Sequence, residues 1–280
     1  MSSSPRSAVP DGCPDELAEQ LSARRARIDE WFREGCRVFL FATSPEGRIF
    51  ARYSTDPADE AVLRHERTVR ELIGSGTPLR CPVVHAAGTR WMIEQAVDVE
   101  PCQGSTAVDA IVDAAAEVTS LPLPAGPSAR GRDLGRRVKV LASVARSPLP
   151  LKHLRRARQA LSALDLPLVP GHGDFRAGNL LYERGALWVV DWELSGMRPA
   201  GYDLMQAWVT LERDDDRERL FEASVSLVGR RHRSQLERLR YASAVATVVD
   251  KLAAPEAFNR DPTGARRLLE ELPALARGLG

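Results

Sequence analysis

The chain changes character near residue 98, and that change limits its possible folds more than any other feature. Before it, β-rich runs at 37–43 and 48–53 flank Ser44-Pro45-Glu46-Gly47, which has the composition of a turn. A second pair of runs, 82–86 and 90–97, is broken at Ala87-Gly88. Between the pairs, Asp56 followed by Pro57 has the form of a helix start. Val62, Leu63, Val69 and Leu72 then share one side of a helix ending near residue 73. Leu17, Leu21, Ile28, Trp31 and Phe32 also recur at helical spacing, which predicts a helix over 14–35 stopped by Gly35. Residues 1–12, rich in Ser and Pro, read as a disordered tail. Beyond residue 98 the pattern is helical at 106–119, 136–145, 151–164, 204–211, 216–228, 234–252 and 263–278, with a Pro- and Gly-bearing loop over 121–131. The expected organisation is a tail and helix over 1–34, a small sheet-plus-helix lobe over 35–97, and a larger, mostly helical lobe over 98–280, an α+β chain.

Charge narrows the function. The 39 basic residues nearly balance the 38 acidic ones, whereas a non-specific nucleic-acid binder needs a basic excess, so no nucleic-acid partner is expected. The only lysines are Lys139, Lys152 and Lys251, so any role for a cation in the first 138 residues falls to arginine. Cys13, Cys36, Cys81 and Cys102 have neither Cys-x-x-Cys nor zinc-site spacing, which suits a reducing compartment. No run of 18 apolar residues occurs, and residues 1–11 lack the apolar stretch of a signal peptide. A cytoplasmic protein without a membrane partner is the expectation.

One block, 168–193, concentrates the polar residues that could carry chemistry. Apolar runs at 180–182 and 187–190 surround Glu183-Arg184-Gly185 and should pair as a hairpin. That pairing would set Asn179, before the first strand, beside Asp191, after the second. A carboxylate and an amide oxygen held together suit a hard cation such as Mg²⁺. Asp174, upstream on the same loop, could orient or deprotonate an attacking hydroxyl. Each residue also has a plainer role open to it: Asp174 as a turn former, Asn179 beside Gly178 as a turn residue, His172 as a core histidine. His172-x-Asp174 could suggest a metallohydrolase, but His65, His85, His153 and His232 form no matching motif.

In combination, His172-Gly173-Asp174, Asn179 after four further residues, a short hairpin, Asp191-Trp192-Glu193 and then Pro199-Ala200-Gly201-Tyr202-Asp203-Leu204 resemble the aminoglycoside phosphotransferase and choline kinase family, relatives of protein kinases. The resemblance implies a two-lobed, protein-kinase-like fold and a kinase that uses ATP and Mg²⁺. It implies that Asp174 is the catalytic carboxylate and that Asn179 and Asp191 hold Mg²⁺. His172 would brace the loop, and Asp203 would anchor it. Arg52, on the small lobe's hairpin, would contact ATP phosphates and pair with Glu66 of the following helix. Residues 94–97, with Glu94 and Ala96, would form a hinge offering backbone groups to adenine. The acceptor implied is a hydroxyl of a small molecule: an aminoglycoside or other antibiotic, with resistance as the consequence, an amino alcohol or a sugar. Glu193 could join Glu212, Asp214, Asp215 and Asp216 in an acidic acceptor pocket, although 212–219 reads better as a solvated helix start.

The chain departs from the family in two places. No Gly-x-Gly-x-x-Gly precedes the first clear strand, where Gly35 stands alone, and the segment 98–165 is short. The missing glycine-rich loop and the arginine at position 52 support a rival reading, a pseudokinase that keeps the fold as a binding or regulatory module, although Asp174, Asn179 and Asp191 are all present. A protein kinase fits less well, since no activation-loop-like segment separates Asp191 from Asp203.

Overall fold

Two tight turns fold the first half of the chain into a meander. The computed structural model describes residues 9–74, 79–97, 105–123, 149–183, 186–253 and 262–279. After helix α1 (Asp15–Ala23), strands β1 (Arg27–Glu34), β2 (Arg37–Ser44) and β3 (Gly47–Ser54) run antiparallel. Glu34 pairs with Arg37 and Ser44 with Gly47, so each connection is a two-residue turn, Gly35-Cys36 and Pro45-Glu46. The Asp56 carboxylate caps the next turn by accepting from the Ala58 N–H at 2.9 Å, and helix α2 (Glu60–Gly74) follows. Strands β4 (Val84–Ala87) and β5 (Trp91–Gln95) complete an antiparallel sheet of order β1-β2-β3-β5-β4.

Alternation along the strands gives this sheet two unlike faces. Val38, Leu40, Ala42, Ile49, Ala51, Tyr53, Trp91 and Ile93 are buried with Leu17 and Leu21 of α1. Opposite parity puts Arg37, Phe39, Phe41, Phe50, Arg52, Met92 and Glu94 on the other face, toward α2 and the second lobe. The buried stripe of α2 is Val62, His65, Glu66, Val69, Arg70 and Ile73, so three ionisable side chains enter a helical core face.

The helix expected over 14–35 is corrected by this arrangement: α1 stops at Ala23 and residues 27–34 are the edge strand of the sheet. A β-bulge explains the misleading spacing. Ile28 pairs with Ala42 and Trp31 with Leu40, while the register shifts between Ile28 and Glu30, leaving Asp29 as the extra residue. Two side chains three apart thereby reach the same sheet face, a separation that mimics a helix. The sheet therefore begins before residue 35. The expected tail lies mostly outside the described residues.

The second lobe is built of α3 (Ser105–Ser120), α4 (Leu151–Ser162), α5 (Tyr202–Trp208), α6 (Asp214–Val228), α7 (Arg233–Ala253) and α8 (Pro262–Arg277). Helix α7 packs on α4, α5 and α8, and α3 packs on α6. Two small ribbons, β6 (Leu168–Gly171) with β9 (Gly196–Pro199) and β7 (Leu180–Glu183) with β8 (Ala186–Val189), stand at the boundary with the sheet. The expected helix over 136–145 and most of the loop over 121–131 lie outside the described residues. Among the described residues, no helix is long and apolar enough to cross a membrane.

Candidate active site

Residues 171–179 leave β6 as a loop whose shape is fixed from below by one carboxylate. Asp203, buried in the first turn of α5, accepts from the His172 N–H at 2.6 Å through Oδ2 and from the Gly173 N–H at 2.9 Å through Oδ1. His172 braces the same loop from inside. Its Nε2 lies 3.0 Å from the Val190 carbonyl oxygen and therefore donates, while its Nδ1 accepts from the Asp174 N–H at 3.3 Å. Both contacts together require the neutral imidazole protonated on Nε2. Burial also favours the neutral ring and holds its pKa below the ordinary value, although Asp203 and Asp174 pull the other way. Gly173 has φ +85°, and a Cβ there would lie 2.2 Å from the Leu194 carbonyl oxygen, so the position requires glycine.

This loop presents Asp174 in a fixed orientation. Its Oδ2 accepts from Asn179 Nδ2 at 3.0 Å, and its Oδ1 is bonded by Arg176 Nε. Arg176 is a contributor that the sequence reading missed, although it stands two residues beyond Asp174. Asn179 also donates from Nδ2 to the Asp174 carbonyl at 2.9 Å, which leaves its amide oxygen for another partner. The Asn179 carbonyl accepts from the Val190 N–H at 3.0 Å, and the β7–β8 ribbon thus brings Asn179 next to Asp191 as expected. Asp191 adopts left-handed φ 64° and ψ 61°, a conformation that costs a non-glycine residue about 1–3 kcal/mol.

Across the cleft, the sheet supplies a chain of buried charges. Arg52 of β3 bonds Glu66 of α2 through Nη2, and its Nη1 lies 3.5 Å from Asp191 Oδ1. Glu66 Oε1 is 3.6 Å from Arg70 Nε, and Arg70 bonds Glu94 of β5. Burial opposes the charge on Glu66, yet Arg52 and Arg70 hold its carboxyl below the usual range. Burial pushes the Glu94 carboxyl up, with Arg70 and Arg52 opposing. The Arg52–Glu66 pair is thus formed as expected, and Arg70 is an unforeseen member.

The residues named for the hinge and the pocket have these partners. Glu94 sends its side chain to Arg70 behind the cleft. The Ala96 N–H is taken by the Arg48 carbonyl at 3.2 Å and the Gln95 N–H by Val83 at 2.9 Å, because this stretch is still ladder. Glu193 is engaged by the small lobe: its Oε2 is 2.7 Å from Arg37 Nη1 of β2, and Arg37 Nε is 3.1 Å from Asp59. Asp214, Asp215 and Asp216 form the first turn of α6, where Asp214 pairs with Arg217 at 3.2 Å and Asp216 with Arg213 at 3.9 Å, as a helix start would.

Residues 35–240 match the phosphotransferase enzyme family. The chain belongs to that family. A thiamine kinase from Escherichia coli O17:K52:H18 is 37% identical over 59 residues, which span 21% of this chain and 22% of the relative's length. The choline kinase of Cryptosporidium parvum Iowa II superposes with a TM-score of 0.66 at 13% identity, covering 95% of this chain and 96% of that one. Aminoglycoside phosphotransferase APH(2'')-Ib with ADP bound gives 0.59 at 15% identity, covering 96% and 99%. The fold is accordingly the two-lobed, protein-kinase-like α+β fold that the motifs implied.

The donor set of this phosphotransferase family member fits Mg²⁺. Asp191 and Asn179 offer hard oxygen ligands side by side, and Mg²⁺ commonly takes one or two carboxylates, with water and phosphate completing its shell. Burial, then Glu193 and Glu66, pushes the Asp191 carboxyl up to about 7 despite Arg52. Among the described residues, no group of three or more His, Cys, Asp or Glu is placed to hold a metal ion by itself.

Proposed function

We propose that the protein transfers the γ-phosphoryl group of ATP to a hydroxyl of a small molecule, with Mg²⁺. The observation that carries this reading is the convergence of Asp174, Asn179 and Asp191 on one cleft, faced by the Arg52–Glu66 pair. Asp174, held by Arg176 and Asn179, would take the proton of the attacking hydroxyl and keep its oxygen in line. Arg52, released from Asp191, would lie against the phosphates while Glu66 holds its other edge. Mg²⁺, held by Asn179 and Asp191, would supply charge neutralisation on the phosphate oxygens. Little covalent work is left to the protein in such a transfer, so positioning and electrostatics dominate. Adenine would pair with backbone groups of residues 94–97 other than the N–H groups of Gln95 and Ala96. Residues 27–97 would form the nucleotide lobe and the helical lobe the acceptor side. The relatives support a small hydroxylic acceptor, in the range from amino alcohols and thiamine to antibiotics.

The test is ADP formation from Mg·ATP against aminoglycosides, macrolides, amino alcohols, thiamine and sugars. Acceptor-dependent ADP formation, abolished by chelating Mg²⁺, is expected. Nucleotide binding with no turnover on any acceptor would favour the regulatory pseudokinase reading.

A further inference from the structure

Arg37 is a cation of the cleft that the proposed mechanism leaves without a task. It stands at the first position of β2, directly after the two-residue turn Gly35-Cys36. A turn that short has no loop of backbone N–H groups with which to wrap a polyphosphate. Arg37 pairs with Ser54 and Phe39 with Arg52, so Arg37 and Arg52 are diagonal neighbours on the same sheet face. Side chains so related start about 7–8 Å apart and reach common ground when they are long. Both guanidinium groups aim at the same three-residue segment: Arg52 at Asp191 at 3.5 Å and Arg37 at Glu193 at 2.7 Å. Together with Phe39, Tyr53, Ser54, Asp59 and Leu63 they line one cavity beneath the sheet. The Arg37 side chain keeps 30% of its surface exposed there, whereas that of Arg52 keeps 9%.

We propose that Arg37 is a second phosphate-binding cation, which does with a guanidinium fork what a glycine-rich loop does with backbone amides. The inference rests on the nucleotide-binding reading above. Asp59 holds the Nε edge and Nη2 at 3.1 and 3.4 Å, so the Nη1 edge now on Glu193 is the one that turns to a phosphate oxygen. A guanidinium held by Asp59 on one edge keeps its orientation while the other edge exchanges Glu193 for phosphate oxygens.

Calorimetric titration of the full chain with ATP, ADP and adenosine, Mg²⁺ present, tests it. A charge-assisted contact of this kind is worth about tenfold or more in affinity. Arg37→Met should therefore lose about that factor for ATP and ADP and keep adenosine binding, and Arg37→Lys should recover part of the loss. Equal ATP and ADP affinities in Arg37→Met and wild type would overturn the proposal. So would a loss of adenosine binding as large as that of ATP, since Arg37 would then only tie the lobes together. Absence of nucleotide binding by the wild type would defeat the proposed function itself, and this inference with it. Thermal melts of each variant separate loss of binding from loss of fold.

Discussion

Removing Arg70 leaves Glu66 and Glu94 buried with Arg52 as the one cation of the cluster. The four side chains are 9%, 0%, 3% and 9% exposed for Arg52, Glu66, Arg70 and Glu94, so water cannot make up the difference. With Arg70 present the four charges cancel. Arg70→Met makes the cluster net negative, and Glu94→Met makes it net positive. Breaking a buried pair from one side costs about 3–5 kcal/mol, because the surviving charge stays desolvated. Replacing both partners with apolar residues of similar volume is often close to neutral. Each single variant should therefore lose about 3–5 kcal/mol, and Arg70→Met/Glu94→Met should lose less than either. Additivity would instead predict a loss of about 6–10 kcal/mol for the double variant. Urea unfolding followed by tryptophan fluorescence at pH 8, on the alkaline side of the upward shift of Glu94, reads all four corners of the cycle. Additive losses, or single variants within 1 kcal/mol of wild type, would refute the network as drawn.

Three further outcomes follow from the same geometry. Arg52→Met should lower kcat/KM for ATP much more than Arg52→Lys, with Glu66→Gln between wild type and Arg52→Met; an unimpaired Arg52→Met would show that the 3.5 Å approach to Asp191 has no part in nucleotide use. Gly173→Ala should destabilise the protein by about 1–3 kcal/mol from backbone conformation alone, with the Leu194 contact adding to it, and a wild-type melting curve would contradict this. His172 titrates below its unfolded value of about 6.5, so its contribution is complete above that pH and declines as the pH falls, by at most about 1.4 kcal/mol per pH unit. The stability gap between wild type and His172→Phe should accordingly shrink from pH 7.5 to 5.5, and a gap that widens would show that the buried ring is charged.

The site was legible where its residues lie close in sequence. Asp174, Asn179, Asp191 and Asp203 fall within thirty residues, and their spacing reflects one loop, one ribbon and one helix start whose bonds are mostly local. Arg52 and Glu66 could be matched to that block because a strand followed by a helix is itself a short-range signal. Contacts between distant elements were not legible. Arg37 and Glu193 are 156 positions apart, and His65 reaches Ser195 from 130 positions away; nothing in either neighbourhood announces the other. The pairing of Glu193 with Arg37, on a strand of the other lobe, was therefore not foreseen. The β1 error has a different source. The bulge at Asp29 breaks the two-residue alternation by which a strand is recognised and leaves Ile28 and Trp31 at a helical interval. Glu94 read only as a hinge residue and Arg70 drew no notice, because a charge gives no sign of burial until its partner is known.

The most direct test of the central claim is the turnover of Mg·ATP by Asp174→Asn with whichever hydroxylic acceptor the wild type uses. The substitution is nearly isosteric and leaves Asn179, Asp191 and the Arg52–Glu66 pair in place, so Mg·ATP should bind as before. A positioned base contributes about 10²–10⁴-fold, and turnover should fall within that range. Phosphoryl transfer by Asp174→Asn at the wild-type rate would contradict the account.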